Sequence, residues 1–271
     1  MSDQPSVTLH LGDCLDVLRS LSDGSVDAVI TDPPYGQTSE AYESDIAFQP
    51  ELWAECARVA RPNAAVISFA GSPTYHRIAT AIEAGGWRVR QMWGWVYRDG
   101  LITSAYPRDG FDRLAPAMDP ICYATRGKVL LRLKREGKPW HINTPRSKAS
   151  PMSDRFRSPE TQAASGRWPK SIVSDGVVPF AYFLGSRTAS RRGDRTSHPN
   201  QKPLALMRWL ASKMPANSII LDPFAGSGST LVAAIAGGMN AIGVERDPEY
   251  HAIAQRRINE ALGAHPLFNH A

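Results

Sequence analysis

A chain of 271 residues, 42% hydrophobic and 21% charged, is long enough to bury a full core and has the balance of a globular protein. Its composition excludes several classes. No apolar run approaches the ~20 residues of a membrane span, Met1-Ser2-Asp3-Gln4-Pro5 carries no secretory signal, and three scattered cysteines (Cys14, Cys56, Cys122) form neither a disulfide framework nor a metal-ligand spacing; a cytoplasmic protein with reduced cysteines and no metal is expected. The net charge of +5 hides an asymmetry: residues 126–195 carry 16 Lys/Arg against 5 Asp/Glu, a balance of +11, and the remainder balances at −6. Segregation of this kind predicts a polyanion-binding segment set in an acidic body, against the plainer reading of a solvated basic face.

In chain order, Val7 to Leu11 alternates as a strand, Cys14 to Leu21 has helical spacing, and Val26 to Thr31 is a second strand. Strand, helix and strand in about 25 residues read as a βαβ unit and imply a parallel sheet. Asp13 lies just past its strand, where open α/β sheets bind ligands, and is also placed to cap the following helix. Thr31 runs into Asp32-Pro33-Pro34-Tyr35. Two prolines fix φ and donate nothing, which makes a stiff corner with spare acceptors on Asp32 and on the carbonyls of Asp32 and Pro33. Beside the flat ring of Tyr35, such a corner suits the amino group of a nucleobase; a simple proline turn is the alternative. Gly36 to Gln49 is expected to be a mobile loop over this corner.

Pro50 to Arg61 reads as an amphipathic helix stopped by Pro62, Ala64 to Ala70 as a buried strand, and Pro73 to Ala84 as a helix. Trp87 to Tyr97 and Asp119 to Thr125 are strands expected to pair. From 127 to 197 the rhythm fails; a basic, aromatic-dotted stretch of this length suits a functional insertion. Order resumes at His198-Pro199-Asn200-Gln201-Lys202-Pro203, followed by a helix over Leu204 to Met214 and a strand over Ser218 to Leu221. A glycine-rich turn, Asp222-Pro223-Phe224-Ala225-Gly226-Ser227-Gly228-Ser229-Thr230, leads into a helix to Ala236. Asn240 to Val244 is the seventh strand and Pro248 to Leu262 the last helix. A glycine turn opening a helix lets a ligand approach backbone amides. Glu245, at the next strand tip, is placed for ribose hydroxyls, and Asp222 can hold an ammonium. Neither the dinucleotide nor the Walker glycine pattern is present.

Taken together, these stretches resemble a bacterial or phage DNA amino-methyltransferase of the permuted β class. The resemblance is carried by Asp32-Pro33-Pro34-Tyr35, by Leu221 to Thr230, by His198 to Pro203, by Gly243-Val244-Glu245 and by Gly12-Asp13 with Ser25 to Thr31, in the order that defines that class. It covers about 1–125 and 198–262. The implied fold is α/β: a Rossmann-like, doubly wound, mostly parallel seven-stranded sheet with an irregular basic target recognition region. The implied domains are a catalytic half at 1–126, the recognition region at 127–197, a cofactor half at 198–262 and a tail at 263–271.

The resemblance also implies roles. Asp32, Pro33, Pro34 and Tyr35 would be catalytic, with Asp32 and the Pro33 carbonyl accepting from the target amine and Tyr35 stacking on the flipped base. Asp222, Phe224, Gly226 and Gly228 would surround S-adenosylmethionine, Lys202 would sit near its methionine end, Glu245 would hold its ribose and Asp13 its adenine amino group. Arg155, Arg157, Arg167 and Lys170 are candidate DNA contacts. Partners implied are double-stranded DNA, a second copy of the chain (through helices 50–61 and 73–84) and a cognate restriction enzyme. The implied activity is methylation of adenine N6. Cytosine N4 is the near alternative, RNA is disfavoured by the absence of an RNA-binding module, and a nicotinamide oxidoreductase or an inactive DNA-binding relative are the distant ones.

Overall fold

The computed structural model describes residues 5–35, 45–96, 118–128, 196 and 201–264. Among them seven strands form one sheet: β1 (Val7–Leu11), β2 (Val26–Thr31), β3 (Ala60–Phe69), β4 (Arg88–Val96), β5 (Met118–Thr125), β6 (Ile219–Asp222) and β7 (Asn240–Glu245). Their spatial order is β1-β7-β6-β2-β3-β5-β4. All neighbours are parallel except β5, which runs antiparallel to both β3 and β4. Among the described residues six α-helices cover the faces: α1 (Cys14–Ser20), α2 (Pro50–Val59), α3 (Tyr75–Ala84), α4 (Leu204–Ala211), α5 (Ser229–Ala236) and α6 (Pro248–Gly263).

Side chains that alternate along a strand go to opposite faces, and the two cores follow this period. Ala65, Ile67, Ile121 and Tyr123 pack with Leu206, Met207 and Leu210 of α4, Leu231 and Ala234 of α5 and Ile258 of α6. Val66, Cys122 and Ala124 pack on the other side with Leu18 of α1, Trp53 and Cys56 of α2 and Ile78 and Ile82 of α3. All three cysteines are free and buried, and burial pushes the Cys14 and Cys122 thiols up to about 12. Among the described residues no helix is long and apolar enough to cross a membrane, and no cluster of His, Cys, Asp or Glu could hold a metal ion.

Two sequence expectations change. The first βαβ unit does not make neighbours: β1 sits at the far edge, separated from β2 by β7 and β6. Its partners lie more than 230 residues away, with Val7 opposite Ala241 and Leu11 opposite Glu245. No local pattern encodes such a pairing. The second change is at the end of α2, which stops at Val59 rather than Arg61 and passes directly into β3 at Ala60. Pro62 forbids helix at Arg61, Ala60 is extended at φ −83° and ψ 142°, and the Arg126 guanidinium takes the carbonyls of Ala57 and Ala60. Of the loop expected over Gly36 to Gln49, Ile46–Phe48 form a 3-10 turn, and residues 36–44 lie outside the described residues, as do 1–4, 97–117, 129–195, 197–200 and 265–271.

Trp53 is fully buried and its indole N–H donates to the Ala47 carbonyl at 2.8 Å, while its own carbonyl accepts from Trp87 at 2.9 Å. Trp53→Ala is expected to lower the unfolding free energy by about 3–5 kcal/mol. Urea denaturation should show this as a lower midpoint at an almost unchanged slope.

Candidate active site at the ends of the parallel strands

Because β1, β7, β6 and β2 are adjacent and parallel, their C-terminal ends share one edge of the sheet. That edge carries Asp13 after β1, Glu245 ending β7, Asp222 ending β6 and Asp32 after β2. Such crevices are where open α/β sheets bind ligands. The sequence-predicted residues of both motifs are thereby brought together, although about 190 residues separate them.

The Asp222 carboxylate is buried and turned into the protein. Its Oδ1 accepts from the Thr31 hydroxyl at 2.7 Å and from the Phe224 amide at 3.1 Å, and the Thr230 side chain also bonds to it. Burial pushes this carboxyl up to about 6; the bonds from Thr230, Thr31 and Phe224 pull down against it and the charge of Asp32 adds to the rise. The ammonium role read from the sequence meets a carboxylate that already has three protein donors.

The glycine turn is held from below by α6. Gly228 is left-handed, at φ +80°, and a Cβ there would stand 3.0 Å from the Cβ of Ala254. Only glycine fits both the angle and the space. Arg257, buried one turn on from Ala254, donates to the Ser227 carbonyl at 2.5 Å and to the hydroxyls of Ser227 and Ser229 at 3.2 Å each. The half-buried Glu245 accepts from the Gly226 amide through Oε2 and from the Asp247 amide through Oε1, both at 2.8 Å. A carboxylate so fixed keeps lone pairs for a diol. Gly12 N–H donates to the Glu245 carbonyl at 3.0 Å, setting Asp13 beside it. Asp13 caps α1, accepting from Leu15 at 2.8 Å, and its side chain is exposed to the crevice edge. Phe224 is half-buried in the turn.

At the proline corner, Pro33 is buried and Pro34 and Tyr35 are half-buried. The Tyr35 hydroxyl donates to Asp32 Oδ1, and the Lys202 ammonium bonds to Asp32 Oδ2. Lys202 is only 9% exposed, and its Nζ lies 5.5 Å from the Tyr35 ring centre and 5.1 Å from that of Phe69. Lys202 therefore stands on the catalytic-motif carboxylate, a contact that the sequence reading did not anticipate. Arg155, Arg157, Arg167 and Lys170 lie outside the described residues.

Three further residues belong to the site: Thr31 and Thr230, quoted in the motifs without a role, and Arg257, which was missed. Each left a trace. Thr31 is the polar residue closing an apolar strand, Thr230 closes the small-residue run of the glycine turn, and Arg257 interrupts the apolar stripe of Ala254 and Ile258. A charge on a core stripe signals a specific partner.

The edge thus joins a glycine turn, a carboxylate fixed with lone pairs to spare and a proline corner that ends in a carboxylate, an arrangement that suits an S-adenosylmethionine-dependent methyltransferase. Residues 26–256 match the DNA methylase family, and the chain belongs to it. It is 22% identical to the type II methyltransferase M.HinfI of Haemophilus influenzae, over 93% of this chain and 68% of that one. Its fold matches the crystal structure of the M1.HpyAVI–SAM complex at a TM-score of 0.60 and 25% identity, covering 93% of this chain and 99% of that one. The PvuII DNA methyltransferase (cytosine-N4-specific) has the same fold at a TM-score of 0.63 and 15% identity, covering 96% and 92%. The cofactor is S-adenosylmethionine. The residues present fit it: the Glu245 carboxylate, fixed by two backbone amides and with lone pairs to spare, suits a ribose diol.

A pH test follows from Asp222. The folded carboxyl holds its proton up to about pH 6, against an ordinary value of 3.8. The folded state then binds the extra proton between these values, so stability from this group is present at low pH and is lost as pH rises through the window. In urea denaturation the wild type is expected to decline relative to Asp222→Asn between about pH 4 and pH 6 and to run parallel to it above. Parallel curves throughout would contradict the buried, proton-holding carboxyl.

Proposed function

We propose that this DNA methyltransferase acts on the exocyclic N6 of a flipped adenine in double-stranded DNA. The observation that carries the reading is the placement of Asp32 beside the glycine turn, with Thr31 bonded to Asp222 at 2.7 Å across β2 and β6. Aspartate at position 32, where serine is the common alternative, favours adenine in the pattern that the family resemblance implies. Cytosine N4 is the second reading, favoured by the fold likeness to the cytosine-N4-specific PvuII enzyme. DNA as substrate also supports a cytoplasmic location.

An exocyclic amine is a poor nucleophile because its lone pair is delocalised into the ring. Asp32 and the Pro33 carbonyl accept its two N–H bonds and draw the nitrogen toward a tetrahedral shape. When bound, S-adenosylmethionine supplies a methyl group on a positively charged sulfur. The lone pair so freed would face that methyl group, and the proton that the amine sheds on methylation would leave past Asp32 to water. Orientation and fixed charge therefore do most of the chemistry. Tyr35 stacks on the base once it leaves the duplex, offsetting an unstacking cost of a few kcal/mol. In the cofactor half, Glu245 takes the ribose, Asp13 the adenine amino group, and Phe224, Gly226 and Gly228 form the walls, with Asp222 fixing the turn. The segment 127–197 supplies target recognition. Homodimerisation and a cognate restriction enzyme remain proposals that rest on the resemblance.

Asp32→Ala is expected to abolish transfer of tritiated methyl to duplex DNA while S-adenosylmethionine still binds; turnover at the wild-type rate would remove Asp32 from the mechanism. Sequencing of host DNA with and without expression should report N6-methyladenine in one sequence context, and N4-methylcytosine in its place would establish the second reading. Charge reversal at Arg155, Arg157, Arg167 and Lys170 is expected to weaken duplex binding and reduce the slope of log affinity against log salt by about 0.9 per lost phosphate contact. An unchanged slope would place the DNA contacts elsewhere.

A further inference from the structure

Asp32 has two carboxylate oxygens, and both are engaged by protein donors: Tyr35 on Oδ1 and Lys202 on Oδ2. A substrate amine that donates to this carboxylate must replace one of them. The two donors are not equivalent. Tyr35 is neutral, half-buried and three residues along the same corner, so its ring can turn away without stranding a charge. Lys202 is a cation at 9% exposure, with aromatic rings 5.1 and 5.5 Å from its ammonium.

The backbone beneath Lys202 is also tied down. Gln201 before it is buried and accepts from the amide and hydroxyl of Thr196, both at 2.8 Å. Pro203 after it opens α4, whose Leu206, Met207 and Leu210 are in the core. Pulling the ammonium off Asp32 would leave two poorly solvated charges apart.

We infer that Lys202 is a positioning residue for Asp32. It anchors Oδ2 so that Oδ1 is the acceptor offered to the target amine, and the Tyr35 hydroxyl keeps that place until a base arrives. The inference rests on the amino-methyl-transfer reading above and assigns the two oxygens different tasks within it. It also separates Lys202 from a role on the cofactor, which the resemblance alone would give it.

The test uses Lys202→Met, Lys202→Arg and Tyr35→Phe in the full chain. Three quantities are measured: single-turnover methyl transfer to duplex DNA, S-adenosylmethionine affinity by calorimetry, and melting temperature. Lys202→Met is expected to slow transfer about 10- to 100-fold, the weight of one charge-assisted hydrogen bond. Its cofactor Kd should stay within about threefold of wild type, because the loss falls on the reacting step rather than on ground-state binding. Lys202→Arg should recover part of the rate. Tyr35→Phe should lower the KM for duplex by about two- to tenfold, since the incoming amine no longer competes with a neutral hydroxyl.

Wild-type transfer by Lys202→Met overturns the inference, as does a loss of cofactor affinity as large as the loss of rate. An unchanged or raised duplex KM in Tyr35→Phe overturns the place-holding role. If Lys202→Met fails to fold, Lys202→Gln, which removes the charge and keeps a polar end, decides: slower transfer at an unchanged Kd supports the anchor, and wild-type transfer refutes it. A wild-type protein that methylates no duplex fails the underlying reading instead, so the two failures are distinguishable.

Discussion

The hydrogen bond from Thr31 to Asp222 joins the two halves of the site at the level of single atoms. It is buried, spans 191 residues of sequence and links the last residue of β2 to the last of β6. With Asp222 held there, the Phe224 amide closes the start of the glycine turn, and Asp32 follows one residue beyond Thr31. Neither motif can shift without moving the other. A low-dielectric setting strengthens such a contact and makes its loss costly, because the buried carboxylate would be left short of a donor.

Charge is arranged around this link in layers. Asp222 lies deepest, with its oxygens turned to protein donors. Glu245 is half-buried and held by two amides, and Asp13 is exposed. Asp32 alone faces a buried cation, Lys202. Desolvation, backbone donors, water and an ammonium thus set four carboxylates to different uses along one sheet edge. A cationic nucleoside that carries both a diol and an amino acid can use such a graded set.

Much of this was legible in the residues. Each of the seven strands among the described residues overlaps the stretch where alternation, apolar runs and turn residues place one, β3 starting four residues early at Ala60, and the proline corner and glycine turn fall at strand ends as read. What was not legible has physical causes. The pairing of β1 with β7 is a contact across the whole chain, and period-two patterning says which face is buried but not which strand is adjacent. The end of α2 depended on a guanidinium from Arg126, some 66 residues away, at the Ala60 carbonyl. Asp222 was read as facing a ligand because its motif lines a crevice; its rotamer was decided by Thr31 and Thr230, which no spacing rule includes. Lys202 was seen as part of a motif, but its partner is set by the docking of α4 against the sheet, a tertiary fact.

The support beneath the glycine turn bears on how this sequence can drift. Gly228 and Ala254 touch so closely that neither can gain volume alone, and Arg257 holds the turn through three separate acceptors. Ala254, on the helix behind the turn, is therefore as restricted as the glycine it faces. Along α6 the buried residues Ala254, Arg257 and Ile258 are closed to change, while exposed neighbours such as Arg256, Asn259 and Glu260 are open. Random substitution of α6 would leave a footprint of the cofactor turn on a helix where motif reading sees only a stripe of core residues.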